Sequence, residues 1–582
     1  MWVLPFLYYH HAYPLTTFYQ EWGAAMLGLC AMPLLLTQRF WQQPQIPRIA
    51  LLPAGLMLLV LVQFALGRLA YFDQALLFAL YMLWAALLIM LGRQLREELG
   101  LPALATALAA FLLLGAELNA LVGVLQHYRW RTFLDAVITV KTSAAIYGNM
   151  GQPNHFADYV TLGLISLGLL HTRWRLRAWQ VVLLAAPLLF VLTLSGSRST
   201  WLYLLCMAGM AFLWQRRERK GGCDAAGNPP AYPLRVDKSC LQLLHYSLLL
   251  VLGFGLMHLV VQIPWLAGYS GSVTTVERLA GEMGGSGAVG SSGIRLHIWR
   301  EAWLILTQYP LLGAGFGQFA WQHFQLVPLL QDTSVTGLYN NAHNLVMQMA
   351  AEMGLAGLLI LFGTLALWFW QARNAQRTIY HWWGYGLLAV LGIHSMLEYP
   401  LWYAYFLGVA ALALGILDTT TYRLELRVVG RFSVAAMLLL GLLSLSQMLQ
   451  GYRSLENLMA MRPASATDDN YSRRVSNGLV AVHSQSMLRP YAELFMSGMM
   501  EANIDHLADK RVLNESVMHF VPIGTVVYRE AFLLALSGEQ AAAQLQMERA
   551  IWSYQGDFPA EREKLLGMAS KDPAHFATLL GL

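Results

Sequence analysis

The strongest constraint on this chain is a series of apolar stretches, each about as long as a bilayer is thick. A membrane-spanning helix needs about 20 predominantly apolar residues, within a range of about 17–25. We predict an all-α, polytopic membrane helical bundle with about 12 spans, near residues 22–37, 50–65, 73–91, 99–124, 156–170, 180–194, 201–214, 240–263, 344–370, 379–393, 401–418 and 432–449. Residues 2–9 are too short to span, so we expect a truncated or re-entrant first helix there.

Composition supports a membrane protein and excludes several other classes. Hydrophobic residues make up 57% of the 582 residues and charged residues 12%, whereas soluble domains carry about 25% charged residues. An ordinary cytosolic enzyme, a disordered protein and a nucleic-acid binder with a basic face are therefore excluded. The 4 cysteines are too few for a disulfide framework.

The positive charges alternate between the two sides of the predicted bundle. Loops 38–49, 92–98, 171–179, 215–239, 371–378 and 419–431 contain 18 Lys and Arg in 74 residues. The alternate loops 1–21, 66–72, 125–155, 195–200, 264–343 and 394–400 contain 8 in 152 residues. Because cytoplasmic loops are enriched in Lys and Arg, we predict that the first set is cytoplasmic and that the second set faces outward.

The chain divides into a membrane body and a tail of different composition. We predict a transmembrane body at 1–449, which includes a large outward loop at 264–343, and an outward-facing helical domain at 450–582. The tail has 27 charged residues, 12 basic and 15 acidic, and one weak tetratricopeptide-like helix pair at about 528–543. Contact with an acceptor protein and a purely stabilising role both remain open for this tail.

Polar residues are concentrated in the outward segments, next to the ends of the spans. These segments are 147–155, 195–200, 295–299, 339–344 and 394–400. They are far apart in sequence but all map to one side of the membrane. We therefore predict a single site at the outer interface.

Specific motifs in these segments resemble a known family. They are Gly148-Asn149 with residues 152–155, Ser197-Arg198, Arg295 with Trp299, His343-Asn344 with residues 351–354, and His-Ser-Met-Leu-Glu-Tyr-Pro-Leu-Trp-Tyr at 394–403. Together they are similar to bacterial protein O-oligosaccharyltransferases of the PglL type, within the O-antigen ligase and polymerase superfamily. The resemblance covers about residues 10–450 and depends most on the long motif at 394–403.

The resemblance implies a glycosyltransferase in the bacterial inner membrane, with its site and tail facing the periplasm. Such an enzyme transfers a preassembled oligosaccharide from an undecaprenyl-pyrophosphate carrier to Ser or Thr of a periplasmic protein such as a pilin. Membrane lipid is a further partner, and nucleic acid is not. Two alternatives stay open within the superfamily, an O-antigen ligase and an O-antigen polymerase. A transporter is disfavoured because the polar groups cluster at one face and no internal repeat is evident.

The chemistry of a lipid diphosphate donor suggests roles for two arginines and one histidine. Negative charge grows on the diphosphate as the glycosidic bond breaks, and a guanidinium binds phosphate oxygens bidentately. Arg198 and Arg295 are the candidates, against the alternatives of a topology anchor and a solvated helix face. The acceptor hydroxyl must lose a proton, which a histidine can accept near neutral pH. The resemblance points to His343, either as base or as a hydrogen-bond partner of the diphosphate.

Other polar residues are candidates for substrate binding. Gln152, Asn154 and Asn344 can bind sugar hydroxyls, although an Asn beside a helix start is as readily a cap. His394 and Glu398 are one helical turn apart and can meet if the segment is helical to about Tyr399. Asp158 is costly in an apolar span and can pair with Arg198. Glu117 and Glu352 are similar intramembrane carboxylates. His155, His297 and His323 are interpreted as interfacial.

The sequence predicts neither a metal nor a cofactor. The outward loops contain no HExxH, no DxD and no tight cluster of carboxylates. We therefore expect the arginines to supply the positive charge that a metal ion supplies in other glycosyltransferases.

Overall fold

The computed structural model describes residues 1–42, 44–221, 239–266, 291–331, 337–373, 377–423, 426–463 and 469–581, and this part of the chain is predominantly helical. Its helices are α1 (Leu4–Leu7), α2 (Phe18–Ala31), α3 (Gln38–Gln42), α4 (Leu51–Ala65), α5 (Phe72–Leu99), α6 (Leu101–Tyr128), α7 (Pro153–Trp174), α8 (Ala178–Leu194), α9 (Ser199–Gly221), α10 (Ser239–Val260), α11 (Ser291–Gln308), α12 (Phe319–Leu330), α13 (Leu345–Ala372), α14 (Ile379–Ser395), α15 (Ala404–Leu417), α16 (Arg427–Ala460), α17 (Asp469–Gln485), α18 (Arg489–Met499), α19 (Leu507–Phe520), α20 (Gly524–Leu536), α21 (Gln540–Ser553), α22 (Phe558–Lys571) and α23 (Pro573–Phe576). Short 3-10 helices lie at Met32–Leu36, Arg48–Ala50, Phe133–Val137, Pro400–Trp402 and Ala577–Gly581. Strands β1 (Gln45–Pro47) and β2 (Thr421–Arg423) form one antiparallel pair. The all-α prediction is confirmed.

Several helices are long and apolar enough to cross a bilayer. Six such segments occur among the described residues, at Arg48–Ala65, Phe72–Leu99, Leu101–Tyr128, Ser239–Val260, Leu345–Ala372 and Val428–Ala460. Helices α8 and α15 are apolar but shorter. The protein is thus a multi-pass membrane protein. The larger number of about 12 spans remains a prediction.

The described chain forms two compact units that are not continuous in sequence. The first comprises Met1–Leu51, Trp84–Ser286 and Thr364–Leu442, and the second comprises Leu52–Leu83, Gly287–Gly363 and Leu443–Leu582. The second unit therefore groups the tail with α11, α12 and the first part of α13. Helix α16 runs through the predicted boundary at 449/450 without a break. Of the predicted loop 264–343, the structure describes 264–266, 291–331 and 337–343.

Within the first unit, loops predicted to share a side of the membrane contact one another. Asp418 accepts a hydrogen bond from the Ile49 amide (3.0 Å) through its carboxylate and one from Arg93 (2.9 Å) through its backbone carbonyl. All three lie in or beside the loops assigned to the cytoplasm. The outward-assigned set behaves in the same way, since the Asn149 side chain donates to the Leu7 carbonyl at 2.9 Å. The grouping supports the alternation of the loops, and their orientation remains a prediction.

Within the second unit, helix α13 is broken at Gly354, which has φ +61° and ψ −159°. The break leaves two carbonyls and two amides without their i→i+4 partners, and such groups must be paired inside a membrane. Residues 310–315 supply the partners. The amides of residues 355 and 356 donate to the carbonyls of residues 310 and 311 (2.8 and 3.0 Å), and the amides of residues 314 and 315 donate to the carbonyls of residues 351 and 352 (2.9 and 3.1 Å).

Two polar side chains complete this junction. The Gln63 amide donates to the carbonyls of Leu312 (2.6 Å) and Glu352 (2.7 Å), and its oxygen accepts from the Phe316 amide (3.1 Å). The buried Glu352 carboxylate accepts from the Phe319 amide at the start of α12 (3.2 Å). A carboxylate at a helix N-terminus is stabilised by the free amides and the helix dipole. Glu352 therefore has a clear structural role as the cap of α12.

We expect Gly354→Ala to destabilise the protein severely. An added Cβ would lie 2.5 Å from the Gly313 nitrogen and 2.7 Å from the Leu311 carbonyl carbon, and the positive φ disfavours any other residue. The free energy of unfolding should fall by about 4 kcal/mol or more. The measurement is the temperature of thermal aggregation in detergent, which should be lower in the variant. Gly363→Ala, on the same helix, is the control because its nearest neighbouring atom lies 4.0 Å away. Equal behaviour of the two variants would contradict the argument.

The C-terminal helices pack against α12 inside the second unit. Phe324 shares a buried apolar cluster with Val517, Val527 and Met547. The rings of Trp321 and His519 lie 4.3 Å apart, and burial lowers the pKa of His519. Tyr71 donates a hydrogen bond of 2.6 Å to Glu493. The helices of the tail thus share a core with α12.

Candidate active site

The first unit contains a buried polar cluster at the outward-assigned ends of α7, α9 and α14. His394 lies on α14, and its Nδ1 is 2.6 Å from the Tyr203 hydroxyl on α9. The ring centroids of His155 and His394 are 5.6 Å apart. Both histidines are buried, and the interpretation of His155 as a residue at the membrane interface stays a prediction. The cluster brings together side chains from three of the predicted polar segments or their neighbouring helices.

Asn154 and Glu398 connect α7 to the turn after α14. The Asn154 amide donates to the Glu398 carboxylate at 3.3 Å. Helix α14 ends at Ser395, four residues before the predicted end near Tyr399. The reason is local, because Met396 and Leu397 form turn hydrogen bonds and Pro400 then starts a 3-10 helix. Beyond the turn, Tyr399 stacks on Tyr403 (5.9 Å), and burial raises the pKa of the Tyr399 phenol.

Asp158 is fully buried on α7, one turn after Asn154. Neither of its carboxylate oxygens has a hydrogen-bond partner among the described residues, so the predicted pairing with Arg198 is not present as a hydrogen bond. The hydroxyls of Ser197 and Thr200 are also buried without a partner in the described part of the chain. Buried polar groups of this kind normally bind water or a ligand. They are compatible with a polar substrate group, which stays a prediction.

Arg198 and Gln152 occupy connections at the same ends of the helices. Arg198 is half-buried in the link between α8 and α9, where Gly196 has φ +65° and allows the tight turn. Gln152 is half-buried and immediately precedes α7, whose first residue is Pro153. Asn149 in the same segment is structural, because its amide donates to the carbonyls of Leu7 and Val137.

The second unit holds His343 in a short segment before α13. His343 has φ +50°, and its amide donates to the Asn341 side chain at 2.8 Å. The Asn344 oxygen accepts from the amides of Val346 (3.0 Å) and Met347 (3.2 Å). Asn344 is therefore the N-terminal cap of α13, the alternative left open by the sequence. A sugar contact through its amide nitrogen remains a prediction.

Arg295 lies on α11, which is tied to the segment that carries His343. Arg295 is half-buried, and Trp299 follows one turn later on the same face. The Trp299 indole donates to the Ala342 carbonyl at 2.9 Å, next to His343. Arg198 belongs to the first unit, whereas Arg295 and His343 belong to the second. That all three act on one headgroup therefore remains a prediction.

Sequence reasoning missed two residues that organise these clusters. Tyr203 had no signal, because a tyrosine inside an apolar span is ordinary. Glu301 is 1% exposed and contacts His297 and His323, and the spacing of four residues from His297 was a usable signal. His323 is buried, and its position at the membrane interface stays a prediction. No group of three or more potential metal ligands occurs within the residues described.

Comparison with known families defines the class of protein. The model of the O-antigen ligases matches residues 183–362, that of the protein glycosylation ligases residues 146–171, and the C-terminal model of the virulence factor membrane-bound polymerases residues 382–565. These matches confirm the resemblance and the enzyme class, a glycosyltransferase. Among individual proteins, the chain is similar to a general O-oligosaccharyltransferase of Acinetobacter baylyi, with 24% identity over 426 residues, which is 71% of this chain and 67% of the relative.

Proposed function

We propose that this protein transfers a preassembled oligosaccharide from undecaprenyl pyrophosphate to Ser or Thr of an exported protein such as a pilin. The observation that carries the proposal is the similarity to a general O-oligosaccharyltransferase over 71% of the chain. The match of residues 146–171 to the protein glycosylation ligases supports a protein acceptor. The same proposal implies the location of the protein, which is the bacterial inner membrane, with the site and the tail in the periplasm.

The reaction assigns a role to each candidate side chain. The acceptor hydroxyl oxygen bonds to the anomeric carbon while the bond from that carbon to the diphosphate oxygen breaks. His343 takes the hydroxyl proton as base, or else activates the donor by a hydrogen bond to the diphosphate. Arg198 and Arg295 bind the diphosphate, whose charge they stabilise as it leaves with the lipid.

Further polar residues of the first unit bind the sugar in this proposal. Asn154 and Glu398 already form a hydrogen-bonded pair, and His394 is held by Tyr203. Polar groups that are paired and buried keep fixed orientations, which suits recognition of sugar hydroxyls. Gln152 and Asp158 are the remaining candidates for substrate binding in the first unit, and Asn344 is the candidate in the second unit.

A second candidate function is supported by the other two family models. The O-antigen ligases and the membrane-bound polymerases match residues 183–362 and 382–565, which include Arg198, His343 and His394. Either activity would use the same donor chemistry with a glycolipid or a glycan as the acceptor. The choice of acceptor therefore separates the candidates.

Intact-mass analysis of a co-expressed pilin, in a strain that supplies a lipid-linked glycan, tests the proposal. We expect the wild-type chain to add the mass of one glycan to the pilin. An unmodified pilin with newly capped lipopolysaccharide would instead establish a ligase. Longer glycan chains without either product would establish a polymerase. Both of these outcomes would refute protein glycosylation.

A further inference from the structure

Glu301 is a buried carboxylate in the second unit that the proposed reaction does not use. It lies on α11 and is 1% exposed. One carboxylate oxygen is 3.1 Å from Nε2 of His297, one turn earlier on the same helix, and the other is 2.8 Å from Nδ1 of His323 on α12. An isolated buried carboxylate is costly, so its retention here depends on both histidines.

His323 extends this network to the backbone before His343. Its Nε2 lies 3.2 Å from the carbonyl oxygen of Gly337. The two ring nitrogens of His323 thus connect Glu301 on one side to the Gly337 carbonyl on the other. Glu301 thereby fixes the orientation of the His323 ring, and the opposite nitrogen of that ring contacts the backbone at Gly337.

The C-terminal helices hold the same glycine from the other side. The Gly337 amide donates to the Ser553 carbonyl, at the end of α21, with a distance of 2.8 Å. Gly337 has φ +95°, a conformation that other residues rarely adopt. Both backbone polar groups of Gly337 are thus paired, one to α12 and one to α21.

The segment that leads to His343 is consequently anchored at two points. Gly337 is held by His323 and Ser553, and Ala342 is held by Trp299 and by Gln348, whose side-chain oxygen accepts from the Ala342 amide. Trp299 and Glu301 both belong to α11, the helix that carries Arg295. One helix therefore sets the position of both Arg295 and the His343 segment.

We infer that Glu301 is a positioning residue for His343, and that the C-terminal helices complete the site through the contact between Ser553 and Gly337. The inference rests on the proposed function for the role of His343. It gives the tail a defined task, because removal of either partner of Gly337 frees one end of the segment. A misplacement of about 1 Å at a reacting group can lower a rate about 100-fold.

Three variants of the full-length protein in detergent test the inference. Glu301→Ala removes the network. Glu301→Gln preserves it, because the amide oxygen can accept from His297 and the amide nitrogen can donate to Nδ1 of His323, which leaves Nε2 of His323 to donate to Gly337. Glu563→Gln is the matched control at an exposed carboxylate of the same unit. Backbone hydrogen exchange of residues 337–344 is measured alongside kcat and KM for the lipid-linked donor.

For Glu301→Ala, we expect exchange in residues 337–344 to rise about tenfold, as for one lost buried hydrogen bond. We expect kcat to fall about 100-fold with little change in KM. Glu301→Gln should restore kcat to within about threefold of wild type, and Glu563→Gln should match wild type throughout. Unchanged exchange and kcat in Glu301→Ala would overturn the inference, as would an equal loss in Glu301→Gln.

A further variant, at His323, tests the inference if Glu301→Ala does not accumulate in the membrane. His323→Ala removes the donor to the Gly337 carbonyl while Glu301 keeps its contact with His297, and it should raise exchange at 337–344 without affecting the core of α20 and α21. Normal exchange at 337–344 in this variant would also overturn the inference. Hydrogen exchange does not depend on catalysis. A wild-type chain that fails to modify any pilin would therefore refute the proposed function but not the inference about the position of residues 337–344.

Discussion

His343→Asn is expected to lower glycan transfer by about 10²–10⁴-fold, the usual contribution of a general base. Asparagine suits this position because it tolerates the left-handed conformation that His343 adopts at φ +50°. It also keeps a hydrogen-bond donor but cannot accept a proton at neutral pH. The measurement is the initial rate at which the glycan mass appears on the pilin, at matched enzyme levels.

His506→Asn is the control for this substitution. His506 has φ +51°, almost the same backbone conformation, and its side chain is 84% exposed in the tail. This variant should retain the wild-type rate. If His343→Asn retains substantial transfer while His343→Ala loses it, His343 is a hydrogen-bond donor to the diphosphate and not the base. Full activity of both His343→Asn and His343→Ala would show that His343 has no role in the mechanism.

Arg198→Ala and Arg295→Ala are each expected to reduce turnover by about 10²–10³-fold, because each removes charge stabilisation that is strongest as the diphosphate leaves. Lysine at either position should recover only part of the rate, since it keeps the charge but lacks the planar fork that binds two phosphate oxygens. The measurement is kcat and KM for the lipid-linked donor, with membrane insertion followed separately.

Two exposed arginines provide the controls for charge alone. Arg300 lies on α11 close to Arg295, and Arg131 lies in an outward-assigned loop of the first unit. The control variants are Arg300→Ala and Arg131→Ala. Both should leave kcat within about twofold of wild type. If Arg198→Ala and Arg295→Ala also retain full transfer, the diphosphate is bound by other residues.

The sequence predicted the features that depend on local pattern. Apolar length predicted the long helices, and the alternation of Lys and Arg predicted which loops lie together, as the contacts of Asp418 and Asn149 support. The composition shift near residue 450 and the helical pattern predicted a helical tail. Asn344 was correctly offered as a helix cap because its chemistry acts over two or three residues.

The features that the sequence did not predict are pairings between distant residues. Gln63 contacts the carbonyls of Leu312 and Glu352, which are 249 and 289 residues away in the chain. His323, Gly337 and Ser553 likewise meet only after folding. No local periodicity encodes such contacts. The roles of Arg198, Arg295 and His343 stay predictions, because they depend on a bound donor and on chemistry that only kinetics can measure.

The interruption of α13 at Gly354 separates the direction of the half beside His343 from that of the half that follows Gly354. In a continuous helix the two halves would share one axis. Here both halves are joined by hydrogen bonds to residues 310–315, the first through the carbonyls of residues 351 and 352 and the second through the amides of residues 355 and 356. Residues 310–315 and Gln63 therefore set the angle between the two halves of α13, and with it the direction of the half that begins beside His343.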